Sequence, residues 1–134
     1  MRNVRVPGWI PTLFWVVAAY DGALGLLFLF HPGWAFRTFD VTPPNHMGYV
    51  QFPAALLLIF ALMFARIARD PPANRGLVVY GILLKAAYCG VASFHWITGG
   101  LPWMWQPFVL IDLVMGLLFV AALRALRRLS TNIG

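Results

Sequence analysis

The segment LLKAAYCGVASFHW, residues 83–96, decides the fold because it places a lysine inside an otherwise apolar stretch. This segment belongs to a run over residues 77–97, which has the length of about 20 residues that a helix needs to cross a bilayer. A charge at the centre of such a helix costs about 2.5–3.5 kcal/mol on insertion scales, so it normally faces the bundle interior and pairs with another charge. We therefore expect Lys85 to find acidic partners on other membrane-spanning helices.

The composition of the whole chain points to the same environment. Of its 134 residues, 61% are hydrophobic and 10% are charged, whereas a soluble domain carries about 25% charged residues. The sequence predicts a single transmembrane domain over residues 1–134, an all-α integral membrane four-helix up-down bundle. Its predicted spans are residues 12–31, 47–66, 77–97 and 103–123, and residues 33–39 are predicted to form an interfacial helix. We interpret the first span as a retained helix, since no small-residue cleavage site follows it.

The arginines predict the orientation of the bundle. One end of the four-span arrangement carries eight of them, and Arg37 alone falls at the other end. The eight are Arg2, Arg5, Arg66, Arg69, Arg75, Arg124, Arg127 and Arg128. Because basic residues favour the cytoplasmic side, we expect both termini to be cytoplasmic and the protein to be in the cell inner membrane. Orientation also explains the net charge of +6, so we expect the lipid bilayer, and not nucleic acid, as a partner.

Two aspartates are predicted to meet Lys85. Asp21, Lys85 and Asp112 each lie eight or nine residues into a span, about 12–14 Å deep at 1.5 Å per residue. The sequence therefore predicts a buried Asp21–Lys85–Asp112 cluster. Burial disfavours the excess negative charge of this set, so either one aspartate is protonated near neutral pH, or a cation or polar ligand completes the cluster. The cluster is either a ligand site or a structural ion pair that fixes helix register.

Aromatic and sulfur-containing side chains surround this predicted cluster. Tyr88 and Cys89 lie three and four positions beyond Lys85 and so share its helix face. Tyr20 and Tyr88 are candidate ligand-binding residues, and Tyr80 is a further tyrosine of span 3. Their hydroxyls either bind a carbonyl or quinone oxygen or satisfy the buried charges. We interpret Cys89 as a packing residue.

The three histidines are weak metal candidates. His31, His46 and His95 all fall at the end of the bundle opposite most arginines. Histidine is a common metal ligand, but the chain has no HExxH pair and no Cys/His spacing. We predict no metal site, and we expect these side chains to cap helices or bond to loops.

A short motif, DxxxGLLF, occurs twice, at residues 21–28 and 112–119. Its two copies would run in opposite directions across the membrane. We interpret the repetition as chance in a restricted alphabet. We interpret Gly22, Gly25 and Gly116 as positions where helices pack closely.

The chain as a whole resembles the DoxX-like group of small four-helix bacterial membrane proteins. The resemblance rests on a first span ending near a proline, an Asp-Pro hairpin, Gly-Ile-Leu-Leu-Lys85 in span 3 and Ile-Asp112-Leu in span 4. Only Lys85 and Asp112 match the pattern of the group, and Asp21 and the histidines do not map onto it. Some relatives in the group are linked to quinone-dependent oxidation of sulfur compounds, which implies a quinone near the core.

Three functions are compatible with these features. The first is a bundle that binds a hydrophobic small molecule, or an accessory subunit of a larger membrane complex. The second is a quinone-linked redox component using Lys85, Tyr88 and Asp112. The third is a proton-coupled transporter that works as a homo-oligomer, since four helices rarely enclose a path alone. The chain has no glutamate, no nucleophile motif and no Gly-rich phosphate loop, which disfavours hydrolysis and phosphoryl transfer. We favour a non-catalytic role and leave an enzymatic one open.

Overall fold

The computed structural model describes residues 5–131, which form five helices and no strand. The helices are α1 (Trp9–Phe30), α2 (Pro32–Thr38), α3 (Gly48–Arg69), α4 (Arg75–Thr98) and α5 (Gln106–Thr131). All but the short α2 are long and apolar enough to cross a membrane. The predicted all-α four-helix membrane bundle is confirmed, and the protein is a small multi-pass membrane protein.

The helix boundaries differ from the predicted spans in instructive ways. Helix α1 begins at Trp9, before Pro11, because proline is tolerated in the first turn of a helix. Helix α5 begins at Gln106 and continues to Thr131, beyond the predicted end at residue 123. Its last turns carry arginines, which lower the hydropathy of that part without weakening its helix propensity. The turn between α3 and α4 is held by Asn74, whose amide donates to the carbonyls of Arg66 (3.2 Å) and Asp70 (2.9 Å).

The helices pack mainly as two pairs, α1 with α3 and α4 with α5, and α3 makes few contacts with α4. A glycine in each pair allows close approach. A Cβ added at Gly25 of α1 would lie 2.9 Å from the Ala54 carbonyl oxygen of α3, and one added at Gly116 would lie 3.3 Å from the Lys85 Cβ. Gly22 is less crowded, since its added Cβ would lie 3.7 Å from the Ala61 Cβ. The predicted close packing is therefore strongest at Gly25 and Gly116.

The half of the bundle nearer most arginines is tightly filled. Phe14, Phe64 and Phe119 are fully buried there. The Phe14 and Phe119 ring centroids are 5.0 Å apart, and those of Phe64 and Phe119 are 5.3 Å apart. This arrangement, which we call the phenylalanine stack, joins both helix pairs.

The opposite end is covered by α2 and by the segment before α5. Phe36 of α2 packs against Trp105, with ring centroids 6.2 Å apart, and Phe28 of α1 lies 5.3 Å from the same indole. The Trp103 indole N–H donates to the Phe39 carbonyl over 3.0 Å. These contacts close the end of the bundle but leave its side, between α3 and α4, without a similar cover.

Candidate functional site

The three buried charges meet as the sequence predicts. Lys85 Nζ lies 3.0 Å from Asp21 Oδ1 and 3.0 Å from Asp112 Oδ1. Lys85 and Asp21 are each 1% exposed and Asp112 is 8% exposed, so the cluster is shielded from the surroundings of the protein. Three helices, α1, α4 and α5, each supply one charge. The predicted Asp21–Lys85–Asp112 cluster is present.

The two aspartates are held differently by the lysine. Lys85 Nζ donates to both carboxylate oxygens of Asp21, at 3.0 and 3.2 Å, but only to Oδ1 of Asp112 among the contacts within residues 5–131. The Asp112 side chain keeps 11% of its surface accessible, against 2% for Asp21. The carboxylate of Asp112 therefore retains an accessible oxygen with acceptor capacity that Lys85 does not use.

Local packing explains why Lys85 reaches both acids. Its stem lies against Gly116 of α5, where a larger residue would crowd the Lys85 Cβ. Gly116 is one turn beyond Asp112, so the same close approach brings the lysine alongside that carboxylate. The ammonium also lies 5.6 Å from the Tyr20 ring centroid and 6.0 Å from that of Phe64, distances at which an aromatic face attracts a cation.

A cavity of about 680 Å³ lies next to the cluster, in the half of the bundle opposite the phenylalanine stack. Its volume is within the range of about 300–1,000 Å³ that small-molecule sites occupy. Asp21, Asp112, Tyr20 and Tyr88 contribute to its lining, whereas Lys85 does not. The floor of the cavity therefore presents carboxylates and tyrosines, with the lysine behind them.

The cavity opens sideways, between α3 and α4. Tyr49 and Leu56 on α3 and Val91 on α4 line it and are also exposed on the outside of the bundle. Pro53 of α3 lines it as well and cannot donate a backbone hydrogen bond within its helix. In a four-helix membrane bundle, such a side opening faces the acyl chains of the lipids.

The tyrosines near the cluster take three different positions. Tyr88 donates its hydroxyl to the Trp105 carbonyl over 3.2 Å and makes no hydrogen bond to the three charged side chains. The Tyr20 hydroxyl oxygen is buried and has no hydrogen-bond partner within residues 5–131. Tyr80 is 59% exposed on the outer face of α4 and does not line the cavity. The Cys89 thiol contacts the Val109 carbonyl at 3.5 Å, which suits a packing residue.

The three histidines stay apart. The His46 side chain accepts a hydrogen bond from the Gly48 amide over 2.9 Å at the start of α3. His31 lies between α1 and α2, and exposed His95 lies at the rim of the cavity. Within residues 5–131, no three His, Cys, Asp or Glu side chains are grouped so that they could hold one metal ion.

Several lining residues escaped the sequence analysis. Phe28, Trp105 and Phe108 were not singled out as site residues, yet all three form cavity wall. An apolar aromatic in a membrane helix looks the same whether it contacts lipid or a cavity. The spacing of these residues from Asp21 and Asp112 is the one available signal, since residues three, four and seven positions away lie on the same face of a helix.

The site thus combines an apolar wall, a buried tyrosine hydroxyl and a carboxylate with spare acceptor capacity. Such a combination binds and orients an amphiphilic molecule, because the wall contacts the apolar part and the floor contacts the polar part. Comparisons with protein-family models, with curated proteins and with solved structures found no match to this chain.

Proposed function

We propose that this protein binds a hydrophobic small molecule with a polar head group, which reaches the cavity from the bilayer through the opening between α3 and α4. The observation that carries the proposal is the position of the cavity: it is open to lipid at its side and ends on the charged cluster. An accessory role in a larger membrane complex is compatible with such binding.

The two halves of the bundle differ in a way that favours a binding site and disfavours an open path across the membrane. The cavity occupies one half, and the phenylalanine stack fills the other with rings 5.0–6.2 Å apart. A molecule in the cavity is therefore in contact with the bilayer but separated from the arginine-rich end. For this reason we favour a binding protein over a proton-coupled transporter.

Blocking the mouth of the cavity tests the proposal. Val91→Trp adds bulk at a residue that is 64% exposed and lines the cavity, and Val79→Trp makes the same change on α4 at a residue that is 37% exposed and lies outside the cavity. Both variants should remain folded. After gentle purification from native membranes, mass spectrometry should find a small molecule with the wild type and with Val79→Trp, and much less of it with Val91→Trp. Equal amounts in all three would contradict binding in this cavity.

A quinone is the second candidate, and the Tyr20 hydroxyl favours it. This buried hydroxyl has no hydrogen-bond partner among residues 5–131 and its residue lines the cavity, so it can donate to a quinone carbonyl. Tyr20→Phe should weaken quinone binding in nanodiscs by about tenfold, the value of one hydrogen bond of about 1–1.5 kcal/mol. Tyr80→Phe, outside the cavity, is the matched control and should leave the affinity unchanged. Unchanged affinity in both variants would count against a quinone bound through Tyr20.

We also propose membership of the DoxX-like group and a location in the cell inner membrane with both termini cytoplasmic. Lys85 and Asp112 support the first statement, because the resemblance rests on them and they form one ion pair. The distribution of arginines supports the second. Arg2, one of the eight that predict this orientation, lies outside the described residues.

A further inference from the structure

We propose that the head group of the bound molecule is a cation, so that the cavity selects lipophilic amines over neutral or anionic amphiphiles. This inference rests on the proposed function and adds to it the chemical class of the ligand. It follows from the arrangement of charges at the cavity floor, from the aromatic rings around that floor and from the depth of the cluster in the bundle.

The charges at the floor do not balance. Two carboxylates and one ammonium form the cluster, which leaves one negative charge in excess when all three are ionised. The lysine is on the far side of the acids and does not line the cavity. A ligand therefore meets the carboxylates first, and the accessible Asp112 carboxylate has acceptor capacity left for an N–H donor.

Aromatic side chains line the cavity beside these carboxylates. Tyr20, Tyr88, Trp105 and Phe108 all contribute to the wall, and the Trp105 and Phe108 ring centroids are 6.3 Å apart. The faces of aromatic rings attract ammonium groups, and more so where water is excluded. An anionic head group would be repelled by the floor, and a neutral one would leave the excess charge uncompensated.

The depth of the cluster indicates a lipophilic amine and not a phospholipid head group. Asp112 is six residues after the start of α5 at Gln106, and Asp21 is nine residues before the end of α1 at Phe30. These separations correspond to about 9–14 Å along the helices, so a phospholipid head group at the level of these helix ends would lie above the cluster. A single-chain or ring-bearing amine can place its charge at that depth while its apolar part fills the cavity or extends between α3 and α4.

The test uses the fact that Lys85 is the only lysine of the chain. Labelling with ¹⁵N-lysine gives one side-chain ammonium signal, which reports on the cluster of the full-length protein in nanodiscs of choline phospholipids. Decylammonium, decanol and decanoate share one chain length and differ in head-group charge. Each is added in turn, and its dissociation constant is expressed as a mole fraction in the bilayer so that partitioning does not affect the comparison.

We expect decylammonium to shift the Lys85 signal saturably and to bind at least about tenfold more tightly than decanol, because charge-assisted hydrogen bonds are about twice as strong as neutral ones. Decanoate should bind most weakly. Asp112→Asn should remove the advantage of the amine, whereas Asp40→Asn, which removes an exposed charge outside the cavity, should retain it. The wild-type series is informative even if Asp112→Asn fails to fold.

The remaining outcomes separate the two proposals. Saturable binding of decanol as tight as that of decylammonium would overturn the cationic head group and leave the proposed function intact. No saturable shift with any of the three amphiphiles would contradict the proposed function and the inference together. Saturation of the signal by ethanolamine phospholipids alone, with no competition from decylammonium, would assign the site to a lipid head group and overturn the inference.

Discussion

At the scale of single residues, Lys85 organises the interior of the bundle. Its ammonium is 3.0 Å from a carboxylate on each of two other helices, and its stem packs on Gly116. In the hydrocarbon core of a bilayer an ionised group is not hydrated, so its partners must come from the protein. Lys85 therefore holds α1 and α5 in position relative to α4 as well as neutralising part of their charge.

Removing this lysine should destabilise the bundle, because the two buried aspartates would lose the partner of their charge. Lys85→Met should lower the free energy of unfolding by about 3–5 kcal/mol, as expected when one partner of a buried ion pair is lost. The triple variant Lys85→Met, Asp21→Asn, Asp112→Asn should recover much of the loss, because a neutral replacement of a whole buried network is often tolerated. Unfolding by steric trapping in lipid bicelles measures both. Equal instability of the two variants would mean that the packing of the lysine stem matters and the charge does not.

The cluster was predictable from sequence, and the cavity was not. Buried charges must pair, and Asp21, Lys85 and Asp112 were the charges available at one depth, so their contact followed. The cavity depends on how far α3 lies from α4, which no pattern of apolar residues specifies. The same limit applies to Tyr20 and Tyr80, of which only Tyr20 lines the cavity: in a helix that is apolar on every face, periodicity does not distinguish the lipid side from the interior.

At the scale of helices, close packing within each pair contrasts with the gap between α3 and α4. Both copies of the DxxxGLLF motif contribute to this contrast. In each copy the aspartate joins the cluster, and the glycine four residues later, Gly25 or Gly116, lies against the paired helix. Whatever its origin, the repetition places one acid and one close-packing point on each of α1 and α5.

Two glycines of α1 give a matched test of this packing. Gly25→Ala should destabilise the bundle by about 1–3 kcal/mol, the usual cost of overpacking, because the added Cβ would lie 2.9 Å from backbone and side-chain atoms of α3. Gly22→Ala adds the same methyl at an ordinary contact distance of 3.7 Å, so its stability should be unchanged or slightly higher. The melting temperatures of both variants and of the wild type, measured in one detergent, test this difference. A larger loss at Gly22 than at Gly25 would contradict the described α1–α3 interface.

At the scale of the whole molecule, the bundle is asymmetric along its axis. The arginine-rich end is filled by the phenylalanine stack, and the other end holds the cavity beneath α2 and Trp105. If the arginines are cytoplasmic, the cavity belongs to the outer half of the membrane. Its ligand would then be drawn from the outer leaflet.

Labelling from one side of the membrane tests this orientation. In a background with Cys89→Ala, one variant carries Thr42→Cys, between α2 and α3, and another carries Ala73→Cys, in the turn between α3 and α4; both positions are exposed. A membrane-impermeant thiol reagent added to intact cells should label the cysteine at position 42 and leave that at position 73 unlabelled until the membrane is opened. The reverse pattern would invert the bundle, and labelling of both would indicate mixed orientation.

The contact of one ammonium with two carboxylates underlies both the packing of the bundle and the chemistry of the cavity floor. Solid-state NMR of the protein in bilayers, labelled with ¹⁵N-lysine and with ¹³C in the aspartate carboxyl groups, measures it directly, since Lys85 is the only lysine and the chain has four aspartates. We predict dipolar coupling from the Lys85 Nζ to two aspartate carboxyl carbons, one signal being lost in Asp21→Asn and the other in Asp112→Asn. The cluster would be contradicted if the Lys85 Nζ coupled to no aspartate carboxyl carbon. It would also be contradicted if the same coupling persisted in both Asp21→Asn and Asp112→Asn.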